Sequence, residues 1–552
     1  MAQAIPASVS GQPIMILKEG TSRAQEREAQ RSNIAAARIV AEAVRSSLGP
    51  KGMDKMLIES SGDITITNDG AAILKEMEIQ HPAAKMMVEI SKTQDDEVGD
   101  GTTTAVVLAG ELLTKAQDLI DRDVHPTIIV HGYRRATEKA LGYLRGLAIN
   151  VKATDKAMLK RVAIVSQAGK LLRENADYVA DLAVDAVLQV AEKTTEGYKV
   201  EVDDIKVEKK RGESLTDTRL IQGVVLEREV VHSGMSKRIE NAKIALLNAA
   251  LEVEKTEFDA KINIQKPEQM KAFLDEEESI LRGMVEKAAA SGANVLICQK
   301  GIDDVAQHFL SKKGVLAVRR ASEKDMEKLA KATGAKVVTN VEDLRAGDLG
   351  FAKLVEERKI ADDKMTFIEG CKDPKAVTIL VRGGTERIVN EAERSIHDAL
   401  CVVRDVVRDP RVVVGGGAVE VELASQMKRW AEKLSGREQL AVFEFAEALE
   451  AVPLTLAENA GLDPIDIIVA LRARHEKGEK TAGVDVMEGK VKDMTKIDVY
   501  EPAAVKEQIL KSATEAATMI LRIDDVIASG KTKEGAGPPK PPGEEETPSE
   551  ID

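Results

Sequence analysis

Apolar and polar residues alternate with the period of an α-helix over long stretches near both ends of the chain. In the first stretch, residues 24–47, apolar side chains recur near a 3.6-residue spacing until Gly49-Pro50 ends the pattern. The pattern returns after residue 386 and predicts further helices over residues 391–407, 420–434 and 438–459. Both ends are therefore predicted to be mostly helical.

The middle of the chain has a different pattern, in which short apolar runs are separated by helical segments. Strands are predicted over residues 295–298, 315–318 and 336–339. The helix predicted over residues 322–333 has a capping box at Ser322 and Asp325, and Gly334 ends it. This β-α-β rhythm predicts a middle unit that differs in fold from the two ends.

The length requires more than one hydrophobic core. A chain of 552 residues exceeds the roughly 250 to 300 residues that a single core supports, so two or three domains are expected. Apolar residues make up 43% of the chain and leave ample material for burial. The segment from Gly530 onward has five prolines and no aromatic residue, which predicts a disordered tail over residues 528–552.

Charge and cysteine content exclude several classes of protein. The formal net charge of −14 would repel a phosphate backbone, so no nucleic-acid partner is expected. The three cysteines are far apart and form no CxxC pair, which indicates neither a disulfide framework nor a zinc site. The chain has no secretory pattern at its start and no apolar run near the about 18 residues that a membrane helix needs. A cytoplasmic protein without membrane contact is expected.

Two glycine loops follow regular elements and favour close approach of the backbone to a ligand. Leu48-Gly49-Pro50 comes directly after the first predicted helix, where a plain helix-ending turn is the alternative. Gly415-Gly416-Gly417 lies between the apolar run 411–414 and the helix predicted from Glu420, which suits a ribose or phosphate; a flexible loop is the alternative. No GxxxxGK[ST] occurs, and no GxGxxG opens a βαβ unit. Walker-type NTPases and Rossmann dehydrogenases are therefore disfavoured.

The segment 99–104 has the most specific composition for phosphate binding. Asp100 stands between two glycines, and the second of these, Gly101, precedes Thr102-Thr103-Thr104 at the start of an apolar run. Threonine N–H and hydroxyl groups at a helix N-terminus bind phosphate, and an aspartate beside them can hold Mg²⁺ on the same phosphates. An ordinary Asp/Thr N-cap is the alternative.

Two further carboxylates are candidates for acid–base chemistry. Asn68-Asp69-Gly70 follows the short β-branched run 64–67 and is by itself typical of a type I′ turn. Asp398 lies within the helix predicted over residues 391–407, where an aspartate lowers helix propensity. An exposed residue paired with a neighbouring arginine is the alternative for Asp398.

Four motifs occur together in a fixed order. They are LGPKGMDKML (48–57), TNDGAAIL (67–74), GDGTTTAVVLAGELL (99–113) and VVVGGGAVEVELA (412–424). With ICQKGIDDVAQHFL (297–310) and ATEAATMILRIDD (513–525), they resemble the group II chaperonins of archaea and the eukaryotic cytosol. The resemblance covers about residues 15–525 and implies an ATP-hydrolysing subunit of a ring-shaped protein-folding chamber.

The resemblance implies the chaperonin fold, a multidomain α+β architecture in three tiers. A mostly α equatorial domain binds ATP, a small α/β intermediate domain connects it, and an α/β apical domain carries a helical protrusion. The implied ranges are 1–147 and 409–527 for the equatorial domain, 148–215 and 371–408 for the intermediate domain, 216–370 for the apical domain with a built-in lid at about 246–278, and 528–552 for the tail.

The resemblance also implies roles around ATP and Mg²⁺. Asp398 would be the base that orients and deprotonates the attacking water, Asp69 its helper, and Asp100 the Mg²⁺ ligand. Lys170 resembles a lysine that senses the γ-phosphate, although Ala168-Gly169-Lys170-Leu171 departs from the usual Thr-Gly-Lys-Gly; a surface lysine is the alternative. The other implied nucleotide contacts are Leu48, Gly49, Pro50, Gly101, Thr102, Thr103, Thr104, Gly415, Gly416, Gly417 and Glu501.

The implied partners are the same or paralogous subunits in a stacked double ring, together with unfolded client proteins. No separate co-chaperonin lid is expected. In the predicted protrusion, an apolar helical stripe begins after Pro267, and its C-terminal half is expected to pack on the apical body. Met270, Phe273 and Leu274 are expected to contact clients or neighbouring protrusions, and a place in the core is the alternative.

Two other functions use similar loops. A small-molecule kinase would need a second catalytic constellation, and the seven scattered histidines give no sign of one. A ring without hydrolysis would serve as a scaffold, but Asp100 and Asp398 argue against it. The identity of the clients, the number of subunit types and the number of subunits in a ring are not encoded in any of these motifs.

Overall fold

The computed structural model describes residues 7–9, 12–14, 22–58, 62–195, 197–253, 267–372 and 374–528. Its helices are α1 Glu26–Arg45, α2 Gly70–Glu76, α3 Pro82–Val98, α4 Thr102–Asp121, α5 Pro126–Leu147, α6 Lys156–Gln167, α7 Ala176–Val190, α8 Pro267–Ala290, α9 Asp304–Lys312, α10 Glu323–Thr333, α11 Glu386–Arg408, α12 Ala418–Ala431, α13 Arg437–Leu449, α14 Ala451–Asn459, α15 Pro464–Glu476 and α16 Ala503–Leu521. None of these helices is long and apolar enough to cross a bilayer.

The strands are short except in the middle of the chain. They are β1 Ala7–Val9, β2 Gln12–Ile14, β3 Ser22–Gln25, β4 Lys55–Ile58, β5 Ile64–Thr67, β6 Ile149–Asn150, β7 Glu192–Thr194, β8 Gly197–Lys199, β9 Ile205–Arg211, β10 Arg219–Ile221, β11 Gly223–Leu226, β12 Arg238–Leu247, β13 Val295–Cys298, β14 Leu316–Val318, β15 Val337–Val338, β16 Gly350–Ile360, β17 Asp363–Glu369, β18 Val377–Gly383, β19 Arg411–Val414, β20 Ala482–Asp485, β21 Lys490–Asp493, β22 Tyr500–Pro502 and β23 Asp525–Ala528. The predicted tail from residue 529 and residues 254–266 of the predicted lid lie outside the described residues.

The two ends of the chain share one hydrophobic core, and we call residues 22–147 and 411–528 the end body. Helix α4 lies at its centre, where it packs on α1 and α16 and buries its apolar run 105–109. Tyr133 of α5 contacts Phe445 of α13 edge to face, with ring centroids 5.8 Å apart. The Tyr133 hydroxyl donates to the Leu112 carbonyl oxygen at 2.9 Å, so this large polar side chain is buried without losing its hydrogen bond.

Residues 223–371, which we call the middle body, form a mixed sheet covered by helices. The sheet is 7-stranded, with strand order β11-β17-β16-β12-β13-β14 and β15 paired to β12. Strands β12, β13 and β14 are parallel and are linked through α8 and α9, so the predicted β-α-β rhythm is confirmed. The N-cap Ser322 and the stop Gly334 of α10 are confirmed, because the Ser322 hydroxyl accepts the Asp325 N–H at 3.1 Å and Gly334 ends the helix with φ of 77°. The capping box is incomplete, because the Asp325 carboxylate accepts the Ser322 hydroxyl at 2.7 Å and not the Ser322 N–H.

A third core lies between the other two, in residues 156–221 and 377–408, which we call the linking body. Its sheet has the order β10-β18-β9, and helices α6, α7 and α11 pack on it. The amphipathic helix α11 buries the face that carries Ile396, Leu400 and Val403. With this body the chain has the multidomain α+β architecture that was predicted.

Two local predictions are wrong. Asn68-Asp69-Gly70 is not a type I′ turn, because Asp69 has the extended backbone angles φ −70° and ψ 124° and begins α2. The helix predicted over residues 438–459 is divided into α13 and α14, which meet at Glu450. Pro453 lies in the first turn of α14, where the missing N–H of a proline is tolerated, and this accounts for the break.

Candidate functional site

A cavity of about 670 Å³ lies where the end body meets the linking body. Its wall contains the predicted residues Leu48, Gly49, Pro50, Asp69, Asp100, Gly101, Thr102, Thr103, Thr104, Lys170, Asp398, Gly416, Gly417 and Glu501. Gly415 lies just behind the wall, where its N–H donates to the Val499 carbonyl oxygen at 3.0 Å. Residues from distant parts of the sequence thus surround one space.

The N-terminus of α4 opens into the cavity without a side-chain cap. Gly101 is the N-cap residue with φ of 78°, and a Cβ there would lie 2.8 Å from Cδ1 of Ile509, so only glycine fits. The Asp100 carboxylate accepts the N–H of Gly101 at 2.7 Å and does not cap the helix, so the alternative of an ordinary Asp/Thr N-cap is wrong. The amide groups of the first turn and the helix dipole favour an anion at this place.

Asp69 connects α2 to this helix end. Its Oδ2 accepts the Ala72 N–H at 2.9 Å as the N-cap of α2, and its Oδ1 accepts the Thr102 hydroxyl at 3.2 Å. The two helix ends approach closely, because a Cβ at Gly70 would lie 2.5 Å from Oγ1 of Thr103. Both oxygens of Asp69 therefore have partners that fix the carboxylate at the cavity wall.

Asp398 and Lys170 form an ion pair at the cavity wall. Their side chains are only 10% and 12% exposed. The alternative of an exposed aspartate paired with an arginine is therefore wrong for Asp398, and the alternative of a surface lysine is wrong for Lys170. The side chain of Gln167, at the end of α6, donates to the Ser395 carbonyl oxygen of α11 at 2.7 Å. This bond ties the loop that carries Lys170 to the helix that carries Asp398.

Lys506, a buried lysine that was not among the predicted site residues, also lines the cavity. Lys506 Nζ lies 2.7 Å from Oε1 of Glu420 and 2.7 Å from Oε2 of Glu501. Burial by itself lowers the pKa of Lys506, but the two carboxylates outweigh it and the pKa lies well above its usual value. Strand β22 pairs with β19 and places Glu501 opposite Val413, directly before the glycine loop.

The arrangement of loops and carboxylates agrees with a family match over most of the chain. The model of the TCP-1/cpn60 chaperonin family matches residues 40–531. The chain belongs to this chaperonin family. Its similar relatives include thermosome subunits of several archaea, and the resemblance to group II chaperonins is confirmed.

Three of these relatives illustrate the extent of the similarity. Thermosome subunit beta of Thermococcus kodakarensis is 59% identical over 525 residues, which cover 95% of this chain and 96% of the relative. Thermosome subunit beta of Archaeoglobus fulgidus is 58% identical over 532 residues, 96% of this chain and 98% of the relative. The thermosome subunit of Pyrococcus horikoshii is 58% identical over 540 residues, 98% of each chain.

The function follows at the level of the family. This chaperonin subunit is an ATP-dependent molecular chaperone, hydrolyses ATP and assembles into oligomeric rings that bind clients. The kinase and the non-hydrolysing scaffold are therefore wrong as alternatives.

Several further residues of the chaperonin cavity carry no motif that the sequence alone reveals. Arg161 of α6 forms an ion pair with Asp498 at 3.2 Å, which bridges the linking body and the end body across the cavity. The remaining wall outside the predicted set includes Arg173, Val484, Val486, Met487, Met494 and Ile497. The only sequence signal for Lys506 is a charged residue within the otherwise apolar start of α16, five positions after Glu501.

The apolar stripe of α8 is divided between exposed and buried side chains. Met270, Phe273 and Leu274 are 50%, 45% and 54% exposed, so the alternative that they lie in the core is wrong for this chain. Leu281 and Val285 are buried in the middle body, as expected for the C-terminal half. Ile280, in the same half of the stripe, is 41% exposed and departs from the expected packing. The N-terminal half of α8 thus presents apolar groups outside the core.

Proposed function

We propose that this chaperonin subunit binds Mg²⁺-ATP in the cavity between the end body and the linking body and hydrolyses it there. The observation that carries the proposal is the uncapped N-terminus of α4 facing the same space as Asp398 and Asp69. An anion-binding helix end and carboxylates that face the same space are what attack of water on a terminal phosphate requires.

The residues of the cavity suit both nucleotide and metal. The first turn of α4 and Leu48-Gly49-Pro50 would hold the phosphates, and Gly415-Gly416-Gly417 with Glu501 would lie at the ribose and base. Asp100 begins the phosphate-binding turn, and its carboxylate with neighbouring hydroxyls supplies the oxygen ligands that Mg²⁺ prefers. When bound, Mg²⁺ neutralises charge on the phosphates.

The chain's own groups perform the proton transfer. Asp398 would take a proton from the water that attacks the γ-phosphate, while Asp69 holds the Thr102 hydroxyl at the phosphate-binding turn and assists in orienting the water. Lys170 forms an ion pair with Asp398 and would contact the γ-phosphate. The contact makes Lys170 suited to distinguish ATP from ADP.

The higher-order organisation completes the proposal. The three separate cores support the predicted division into equatorial, intermediate and apical domains. We place the subunit in a stacked double ring of identical or paralogous subunits in the cytoplasm, where the buried free thiols of Cys298, Cys371 and Cys401 fit a reducing environment. The segment 246–278 would close the chamber over a client without a separate lid, and Met270, Phe273 and Leu274 would contact clients or neighbouring protrusions.

Replacing Asp398 tests the proposed site. Asp398→Ala is expected to retain ATP binding and to slow hydrolysis by on the order of 10² to 10⁴, because the attacking water loses its base. Single-turnover hydrolysis and equilibrium nucleotide binding measure the two effects on the assembled ring.

Asp100→Ala provides the matched control at the same cavity. It is expected to weaken binding of ATP in the presence of Mg²⁺ but to leave metal-free binding nearly unchanged, since it removes a metal ligand. Near-normal turnover of Asp398→Ala contradicts the assignment of the base, and an unchanged dependence on Mg²⁺ in Asp100→Ala contradicts the metal site.

A further inference from the structure

Two titratable groups outside the cavity wall, Asp95 and His397, lie next to Asp398. Asp95 of α3, His397 and Asp398 each offer one oxygen or ring nitrogen within 4.8 Å of the others. Nδ1 of His397 lies 3.9 Å from Oδ1 of Asp398. Neither Asp95 nor His397 lines the cavity. The cluster therefore extends from the cavity wall outward rather than across the nucleotide site.

Exposure changes sharply along this short path. The side chain of Asp398 is 10% exposed, whereas that of His397, the next residue on α11, is 47% exposed. In the proposed reaction, Asp398 takes the proton of the attacking water while the nucleotide still fills the cavity. The imidazole ring of His397, which is open to solvent, is a second group beside the protonated Asp398.

We propose that His397 carries the proton of each hydrolysis event from Asp398 to solvent and so regenerates the base while the cavity is still occupied. The proposal rests on the proposed function, in which Asp398 accepts the proton of the attacking water. His397 is a proton-transfer residue that does not line the cavity, and Asp95 of α3 lies beside it.

The chemical steps balance. The O–H bond of the water breaks and its proton moves to Asp398, while the hydroxide oxygen bonds to the γ-phosphorus and the bond from that phosphorus to the bridging oxygen breaks. ADP and inorganic phosphate form. The proton then passes from Asp398 to one ring nitrogen of His397, and the other ring nitrogen releases a proton to water. One proton is released overall. Asp398 is again a carboxylate, and the ring, left in its other tautomer, returns to the starting one by exchanging protons with water.

The electrostatic surroundings keep the ring ready to accept a proton. Burial of part of the ring lowers the pKa of His397, and the positive charges of Arg404 and Lys170 lower it further. The charged or titratable groups that face the ring are Glu393, Asp398, Cys401 and Arg404 of α11, Lys170 after α6, Asp69 before α2, and Asp95 of α3. Burial, followed by the charge of Asp69, raises the pKa of Asp95 to about 6, so Asp95 can share the transferred proton near neutral pH.

His397→Asn in the assembled ring tests the proposal, because asparagine is polar and of similar size but does not relay protons. Steady-state ATP hydrolysis near pH 7 is expected to fall by about 10-fold or more, because every cycle after the first needs a regenerated base. Free imidazole added to the buffer is expected to restore most of the loss, because the position is open to solvent. The wild-type protein and His131→Asn, a change at an exposed histidine outside the cavity wall, are expected to show no response to imidazole.

The outcomes separate proton transfer from a structural role. A wild-type rate in His397→Asn overturns the proposal, and so does a reduced rate that imidazole leaves unchanged. His397→Gln is measured in parallel, so that a packing defect specific to one replacement does not decide the result. If Asp398→Ala itself retains hydrolysis, the proposed function fails; if it loses hydrolysis while His397→Asn behaves as wild type, only the proton path fails.

Discussion

The end body and the middle body differ in the groups that they bury and expose. The end body buries charged side chains, whereas the middle body exposes apolar ones. In the end body, the charge of Lys506 is buried between Glu420 and Glu501 at the cavity. In the middle body the sheet is buried and apolar, but Met270 and Phe273 of α8 are exposed. Buried, paired charges give a rigid site for a small ionic ligand, whereas exposed apolar groups suit ligands of variable sequence. The difference predicts that substitutions will act on different properties in the two bodies.

The largest effect is expected at the buried charge cluster. Lys506→Met is expected to destabilise the protein by about 3 to 5 kcal/mol, because it leaves two buried carboxylates without a counter-ion. The midpoint of urea unfolding measures the change. The contribution of Lys506 should be fully present near neutral pH and be lost as the pH rises through the raised pKa of its ammonium group.

An exposed ion pair provides the control for this substitution. Lys156 pairs with Asp185 at 2.8 Å, but the side chains are 68% and 54% exposed. Lys156→Met is expected to cost no more than about 1 kcal/mol, since solvent screens the pair. Equal effects of the two lysine substitutions would remove the distinction between buried and exposed charge on which the comparison depends.

A smaller effect is expected in the middle body, and it should divide along a single helix. Leu281→Ala is expected to destabilise by about 2 to 5 kcal/mol, because its side chain is buried in the core of that body. A triple variant with Met270→Ser, Phe273→Ser and Leu274→Ser is expected to change stability by less than about 1 kcal/mol and to leave ATP turnover intact. The triple variant should bind a denatured client more weakly in a co-sedimentation assay.

Loss of ATP turnover in the triple variant, with client binding unchanged, would contradict this division. Loss of folding would do so as well, because it would mean that these side chains belong to a core.

The smallest effect, counted per pH unit, is expected from a buried carboxylate of the linking body. Burial, opposed by Arg404, raises the pKa of Asp405 on α11 to about 7. The folded state therefore holds a proton that the unfolded chain releases near pH 4, and stability is expected to fall as pH rises from about 4 to 7, by at most about 1.4 kcal/mol per pH unit. Asp405→Asn should reduce this slope in urea unfolding measured across that range. An unchanged slope would assign the pH dependence to other groups.

The sequence was sufficient where a local rule decides the structure. The caps of α10 follow from Ser322 and Gly334, and the glycine and threonine pattern at residues 101–104 predicted the open start of α4. The turn predicted at Asp69 was wrong, because its side chain caps α2 and accepts the Thr102 hydroxyl, a contact between residues that are far apart in sequence.

The rest of the cavity depends on long-range packing that no local pattern contains. Asp398 and Lys170 were each candidates, but their ion pair requires α6 and α11 to pack together. Arg161 meets Asp498 only because the linking body folds against the end body. The helical spacing of apolar residues could not predict that Met270 is exposed, because the exposed and the buried half of α8 have the same spacing.

The shared core of the two chain ends affects how the protein folds during its synthesis on the ribosome. Helix α4 ends at Asp121, but α16, which packs on it, begins at Ala503. At about 5 to 20 residues per second, on the order of tens of seconds separate their synthesis. The middle body is completed earlier, because its first strand pairs with β17, Gly223 opposite Glu369. During that interval the surface of α4 that α16 will cover has no native partner, and each new copy of this chaperone is itself an incompletely folded polypeptide.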